Sequence, residues 1–204
     1  MSAASSAREQ ILSNLRAALP QSSPLPELPA TGPWQTFADP LERFSEVLAT
    51  VGGQCVQVSS RRQAHEILTG FPEWQAARVR ISSVDGVGES NTDVSPERDP
   101  HDYETVDFAV LPGHFGVAEN AAIWVTDDLV PHRVLYFIPQ RLAMVIPSSE
   151  IVNNMHEAYG RISVGRHAFA GFISGPSKTA DIEQSLVIGA HGARSLTVFA
   201  VDEL

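Results

Sequence analysis

The segment Gly175-Pro176-Ser177-Lys178-Thr179 sets two hydroxyls, an ammonium and a turn glycine side by side. It follows an apolar run from Ala168 to Ile173 and precedes a pattern that reads as a helix over Thr179 to Ala190. A helix that begins there offers free backbone N–H groups to a carboxylate or phosphate, with Lys178 as a point charge beside them. The alternative is that Ser177 or Thr179 only caps the helix while Asp181 and Glu183 complement its dipole. On such a helix Asp181, Gln184, Ile188 and His191 share a face, but Asp181 and His191 lie about 15 Å apart at the helical rise, too far for a direct dyad.

Glu119 and Asn120 form the second constellation, between Gly116-Val117-Ala118 and Ala121-Ala122. Glu119 is the candidate catalytic carboxylate, able to accept a proton or hold a substrate hydroxyl, and Asn120 offers a donor and an acceptor beside it. A buried carboxylate tying two strands together is the structural alternative. His114, in Leu111-Pro112-Gly113-His114-Phe115-Gly116, sits in a glycine-flanked turn that places an imidazole either at a site mouth or simply on the surface. His101 with Asp102, and Asn153-Asn154 with His156, resemble fragments of metal sites, yet neither has the i, i+4 pair of a zincin helix, so no metal is expected. Lys178 has no Gly-x-x-x-x-Gly-Lys loop around it, which removes that route to a nucleotide.

Composition narrows the function classes. The chain has 204 residues with a formal net charge of -10, and its 14 Lys and Arg are scattered. That leaves no basic footprint for nucleic acid or an anionic membrane surface. No run approaches the roughly 18 apolar residues of a spanning helix, and the start lacks the order of a signal peptide, so the cytoplasm is the expected address. Cys55 is the one cysteine. An internal disulfide, a four-thiolate zinc site and a cysteine-held iron–sulfur cluster are therefore beyond this chain alone, and in Cys55-Val56-Gln57-Val58 the thiol reads as a small core hydrophobe.

The elements that must position these groups emerge from periodicity. Ser6 with Glu9 makes a capping box ahead of Ile11, Leu12, Leu15 and Leu19. Five prolines between Pro20 and Pro33 then give an extended tether, so residues 1–33 read as a helix and tether and 34–204 as the main domain. The leading helix either docks on a partner or a second copy, or folds back. Asp39 and Pro40 open a helix with the stripe Leu41, Phe44, Val47, Leu48 and Val51, stopped by Gly52-Gly53. Beyond it come a strand near Cys55 to Val58, a helix over Arg61 to Leu68, and a strand near Arg78 to Ile81. The polar stretch from Asp85 to Asp102 reads as a loop. Strands are expected at Val106 to Leu111, Ala121 to Val125, Val134 to Ile138, Leu142 to Ile146 and Leu196 to Val201, with a helix over Ser149 to Tyr159. This alternation predicts an α/β fold, a mostly parallel twisted sheet flanked by helices.

Gly175 through Gly192, ending in Ser195-Leu196-Thr197-Val198-Phe199-Ala200-Val201-Asp202, resembles the carboxyl-terminal signature of the lactate-utilisation C family, also called the LUD-domain family. The leading helix and the tether resemble the family too. The resemblance implies a fold like the NagB/RpiA/CoA-transferase group, related to 5-formyltetrahydrofolate cyclo-ligase. It also implies an accessory or substrate-handling role in an iron–sulfur-dependent oxidation of L-lactate to pyruvate. The clusters are then expected in partner subunits, with no cofactor in this chain, a small carboxylate as ligand and a homo-oligomer as one possible state. An independent small-molecule transferase or ligase on the same fold is the alternative. At Glu119 the chain matches the family's acid, but Asn120-Ala121-Ala122 replaces its Thr-Gly-Thr, removing two hydroxyls and a permissive glycine.

Overall fold

A computed structural model describes residues 6–19, 32–163, 165–182, 185–189 and 191–203. The chain parts into two compact units, with the boundary between Pro33 and Trp34. In the first, α1 (Ala7–Ala18) starts at the expected capping box: the Glu9 amide donates to Ser6 Oγ at 3.3 Å and the Ser6 amide to Glu9 Oε2 at 2.8 Å. Ile11, Leu15 and Leu19 line one face and all three are exposed. The proline-rich tether over 20–31 lies outside the described residues.

In the second unit α2 (Pro40–Thr50) is capped by Asp39, whose carboxylate accepts from the Glu42 amide at 3.0 Å, and it buries Phe44 and Leu48. The chain continues through β1 (Gln54–Ser60), α3 (Arg61–Thr69), α4 (Pro72–Ala76) and β2 (Arg80–Ser82). After the long loop come β3 (Phe108–Pro112), β4 (Phe115–Val117) and β5 (Ala122–Thr126), then β6 (Arg141–Pro147), β7 (Ile151–Val152) and α5 (Met155–Arg161). The last strands are β8 (Ala170–Ile173), β9 (Lys178–Ile182), β10 (Ser185–Ile188) and β11 (Ser195–Glu203).

Five strands form an all-parallel sheet in the order β1-β11-β6-β3-β2. A parallel strand buried on both faces reads as a continuous apolar run, and β6 shows why. Leu142, Met144 and Ile146 face α2 and the second sheet, while Ala143 and Val145 face α3 and α4, where Leu68 and Trp74 pack. The second sheet, β7-β4-β5-β8, is mixed: β4 and β8 run antiparallel to β5, and β7 runs parallel to β4. Gly113 makes the passage from β3 to β4. A Cβ there would lie 2.5 Å from Ile123 Cγ2 and 2.9 Å from Ile146 Cγ2, inside their van der Waals radii.

Several expected elements differ. The segment from Thr179 is a β-hairpin, β9 against β10, with no helix. Ile182, Leu186 and Val187 fit a helical spacing, but Thr179, Ile182, Val187 and Ile188 are β-branched and favour extended backbone. Glu183, Gln184 and Ala190 lie outside the described residues. The expected strand over Val134–Ile138 is a 3-10 turn at Arg133–Tyr136, between Pro131 and Pro139, held by the Tyr136 hydroxyl donating to the Pro112 carbonyl at 3.1 Å. The helix expected from Ser149 starts only at Met155, because Ile151 and Val152 pair with Gly116 and Val117 and Asn154 caps α5. The apolar run from Ala168 to Ile173 supplies β8, which pairs antiparallel with β5 in the second sheet.

Candidate functional site: the cleft between His114 and His167

His114 lies just past the carboxyl end of β3, where ligands of open α/β sheets usually bind. Its amide donates to the Trp124 carbonyl at 2.9 Å, which fixes the turn against β5. The ring reaches back to Thr126, with Nε2 2.6 Å from the fully buried hydroxyl. Thr126 in turn donates its single hydroxyl proton to Asp128. It must therefore accept from His114, so Nε2 carries the hydrogen and Nδ1 of the neutral ring keeps a free lone pair. Burial lowers the His114 pKa, and His167 lowers it further against the opposing pull of Asp128. The Thr126 hydrogen bond holds the Asp128 carboxyl below its usual range.

His167 closes the other side. Its Nδ1 lies 3.5 Å from Asp127 Oδ1 and 3.6 Å from Asp128 Oδ1. The β5–β8 pairing creates this meeting: Asp127 accepts from the Phe169 amide at 3.1 Å and donates its own amide to the Phe169 carbonyl at 3.0 Å. Between the two imidazoles opens a cleft of about 330 Å³, walled by Phe115, Trp124, Ile162 and Ser163 and rimmed by Glu150, Arg161 and Arg166. Arg161 is neutralised by Glu150 at 2.6 Å and lies 5.7 Å over the Phe115 ring. Arg166 has no carboxylate partner among the described residues. The cleft thus offers an aromatic wall, a guanidinium and a neutral imidazole to a small anion.

The other expected site residues gather elsewhere. Glu119 lies beyond the far end of β4 from His114, roughly 16 Å away along an extended strand. It is exposed, not buried between strands, and its carboxylate accepts from the Met155 amide at 2.9 Å, at the first turn of α5. Asn120 closes the β4–β5 turn on itself: Oδ1 accepts from the Ala122 amide at 3.1 Å, and its carbonyl accepts from the Ser174 hydroxyl at 2.7 Å. Ala121 takes the left-handed conformation, φ 53°.

Gly175 has φ +71°, and a Cβ there would meet Val51 Cγ2 at 2.9 Å and the Val51 carbonyl at 3.0 Å. The Ser177 amide is already committed to the Ala193 carbonyl at 2.8 Å, and its carbonyl accepts from the Gly189 amide at 2.9 Å. These bonds close the base of the β9–β10 hairpin, so the expected helix dipole and free N–H groups do not exist there. Lys178 is exposed at the start of β9, and the backbones of Thr179 and Asp181 lie within that strand. Of the suspected metal fragments, His156 stacks on Trp34 with ring centroids 3.5 Å apart, and His101 pairs with Asp99 in solvent.

A larger hollow, about 450 Å³, opens at the amino-terminal edge of the parallel sheet. Its charged lining residues, Glu73 and Arg141, face each other at 4.0 Å, and it lies at the end of the sheet that ligands seldom use. Thr126, Asp127, Asp128 and His167 were not legible as a group in the sequence. Local spacing carries no trace of a meeting that depends on the pairing of β5 with β8.

Among known proteins, residues 84–201 match the LUD domain. The lactate utilization protein C of Oceanobacillus iheyensis is 24% identical over 188 residues, covering 80% of this chain and 79% of that one. Its counterpart in Bacillus pumilus is 29% identical over 119 residues, covering 55% of this chain and 50% of that one. A crystal structure of a DUF162 family protein from Deinococcus radiodurans superposes with a TM-score of 0.54 at 17% identity, over 80% of this chain and 97% of that one. Among the described residues no helix is long and apolar enough to cross a membrane. With the matched segment running from the end of β2 through β11, the chain belongs to the LUD-domain family.

Proposed function

We propose that this chain serves lactate utilisation in the cytoplasm as an accessory, substrate-handling component. It holds a small carboxylate such as L-lactate or pyruvate in the His114–His167 cleft and leaves electron transfer to iron–sulfur partner proteins. The observation that carries this reading is the tautomer of His114. With Nε2 committed to Thr126, Nδ1 remains an acceptor for a 2-hydroxy acid's hydroxyl, while Arg166 faces the carboxylate. Relatives named lactate utilization protein C support the substrate class. The single cysteine supports the division of labour, since cysteine-held clusters need several thiolates.

Calorimetry with L-lactate and pyruvate tests the site. Binding should weaken at least tenfold in Arg166→Ala and His114→Ala and persist in Glu119→Gln and Ser177→Ala. The opposite pattern would move the site to the Glu119–Ser177 end, where the residue types of the sequence point with Asn120, Gly175 and Lys178. Lactate-dependent dye reduction by the isolated chain would overturn the accessory role.

A further inference from the structure

We infer that Asp127, Asp128 and His167, the last of which lines the cleft, form a binding site for a first-row divalent transition-metal ion. One oxygen from each carboxylate and His167 Nδ1 lie within 4.8 Å of one another. His167 is the informative member. Its side chain is only 19% exposed, yet its Nδ1 stands 3.5 and 3.6 Å from the two carboxylate oxygens. Hydrogen-bonded ion pairs of this kind close to about 2.7–3.2 Å. Two ligands of one tetrahedral ion with bonds of about 2.1 Å are separated by about 3.4 Å. The His167 spacing to the two carboxylates matches that of ligands sharing an ion and exceeds an ordinary hydrogen bond.

Charge and support agree. Two neighbouring carboxylates converge here, and among the described residues neither is paired with an arginine or lysine. Asp127 is held from behind, its Oδ2 accepting from the Phe169 amide, and Asp128 Oδ1, the oxygen that faces His167, accepts from the Thr126 hydroxyl that His114 also contacts. Outer hydrogen bonds of this sort orient metal ligands. An imidazole with two carboxylates suits manganese, iron, cobalt or zinc better than the all-oxygen shells of calcium or magnesium. Three protein donors leave coordination positions open to water or a ligand. This inference stands apart from the carboxylate reading, because the metal alone is the probe.

The test is titration of chelator-treated protein with Co²⁺, monitored by visible absorption and then by displacement with Zn²⁺. One Co²⁺ per chain should bind, with bands that Zn²⁺ abolishes. His167→Gln, Asp127→Asn and Asp128→Asn should each weaken binding at least tenfold, while His101→Ala, which alters the solvent-exposed His101–Asp99 pair, should leave it unchanged. His167→Gln decides the matter if an aspartate variant fails to fold, since among the described residues that ring makes no hydrogen bond of ordinary length to the two carboxylates. Absence of Co²⁺ and Zn²⁺ binding, or binding untouched by His167→Gln, overturns the site. Adding L-lactate to the Co²⁺ protein then tests the carboxylate reading separately, through a change in the spectrum.

Discussion

The Thr126 hydroxyl and His114 Nε2 lie 2.6 Å apart across the β4–β5 edge of the second sheet. That contact decides which nitrogen of His114 faces the cleft. Thr126→Val keeps the shape and removes the acceptor, so in metal-free protein the ring should shift to a mixture of tautomers, seen in the ¹⁵N shifts of the imidazole. Water can reach His114 and Asp128, so the stability cost should stay near 1 kcal/mol in urea unfolding. An unchanged Nε2–H tautomer in the variant would show that the hydroxyl does not set it.

Gly175 separates structure from chemistry in the segment whose residue types look most like an anion site. Gly175→Ala places a β-carbon in the left-handed region, which costs about 1–2 kcal/mol, and against Val51, which adds a clash of similar size. Urea unfolding should show a loss of about 2–4 kcal/mol, and folded protein should still bind ligand in the cleft. A variant as stable as the parent would mean that the close approach to Val51 is absent in solution.

The parallel sheet was legible because β3, β6 and β11 are buried on both faces and so read as unbroken apolar runs. The start of α2 was legible because Asp39 and Pro40 act through local hydrogen bonding and a fixed φ. The hairpin was not, since Ile182, Leu186 and Val187 fit a helical spacing, and β-branched preference with tertiary context overrode it. β4 and β7 were not legible because each is only two or three residues long and pairs with segments distant in sequence or across a turn, which local spacing does not record. His114 was visible through its glycine-flanked turn, whereas its partners were not, because Asp127 and His167 meet only once β8 has paired with β5.

Glu119 holds the α5 amino terminus, and its removal should read as a capping loss. Glu119→Ala should cost about 0.5–1 kcal/mol of stability, through the lost bond to the Met155 amide and the lost negative charge at a helix start. Carboxylate binding and Co²⁺ binding should both be unchanged. A variant of native stability that no longer binds a carboxylate would instead restore Glu119 as the working residue.

Cys55 is partly buried against α2, and burial pushes its thiol up from 9.0 to about 11. The native state therefore favours the neutral thiol more than the unfolded state does. Its contribution to stability is fully present below about pH 9, the thiol's ordinary pKa, and is lost as pH rises toward about 11. Cys55→Ala should flatten the fall in thermal stability over that window relative to the parent. Native protein should also resist iodoacetamide at pH 8 while the urea-unfolded chain reacts readily, because the thiolate is the attacking species. Rapid alkylation of native protein at pH 8 would show an accessible, ionised thiol and would make Cys55 a candidate nucleophile.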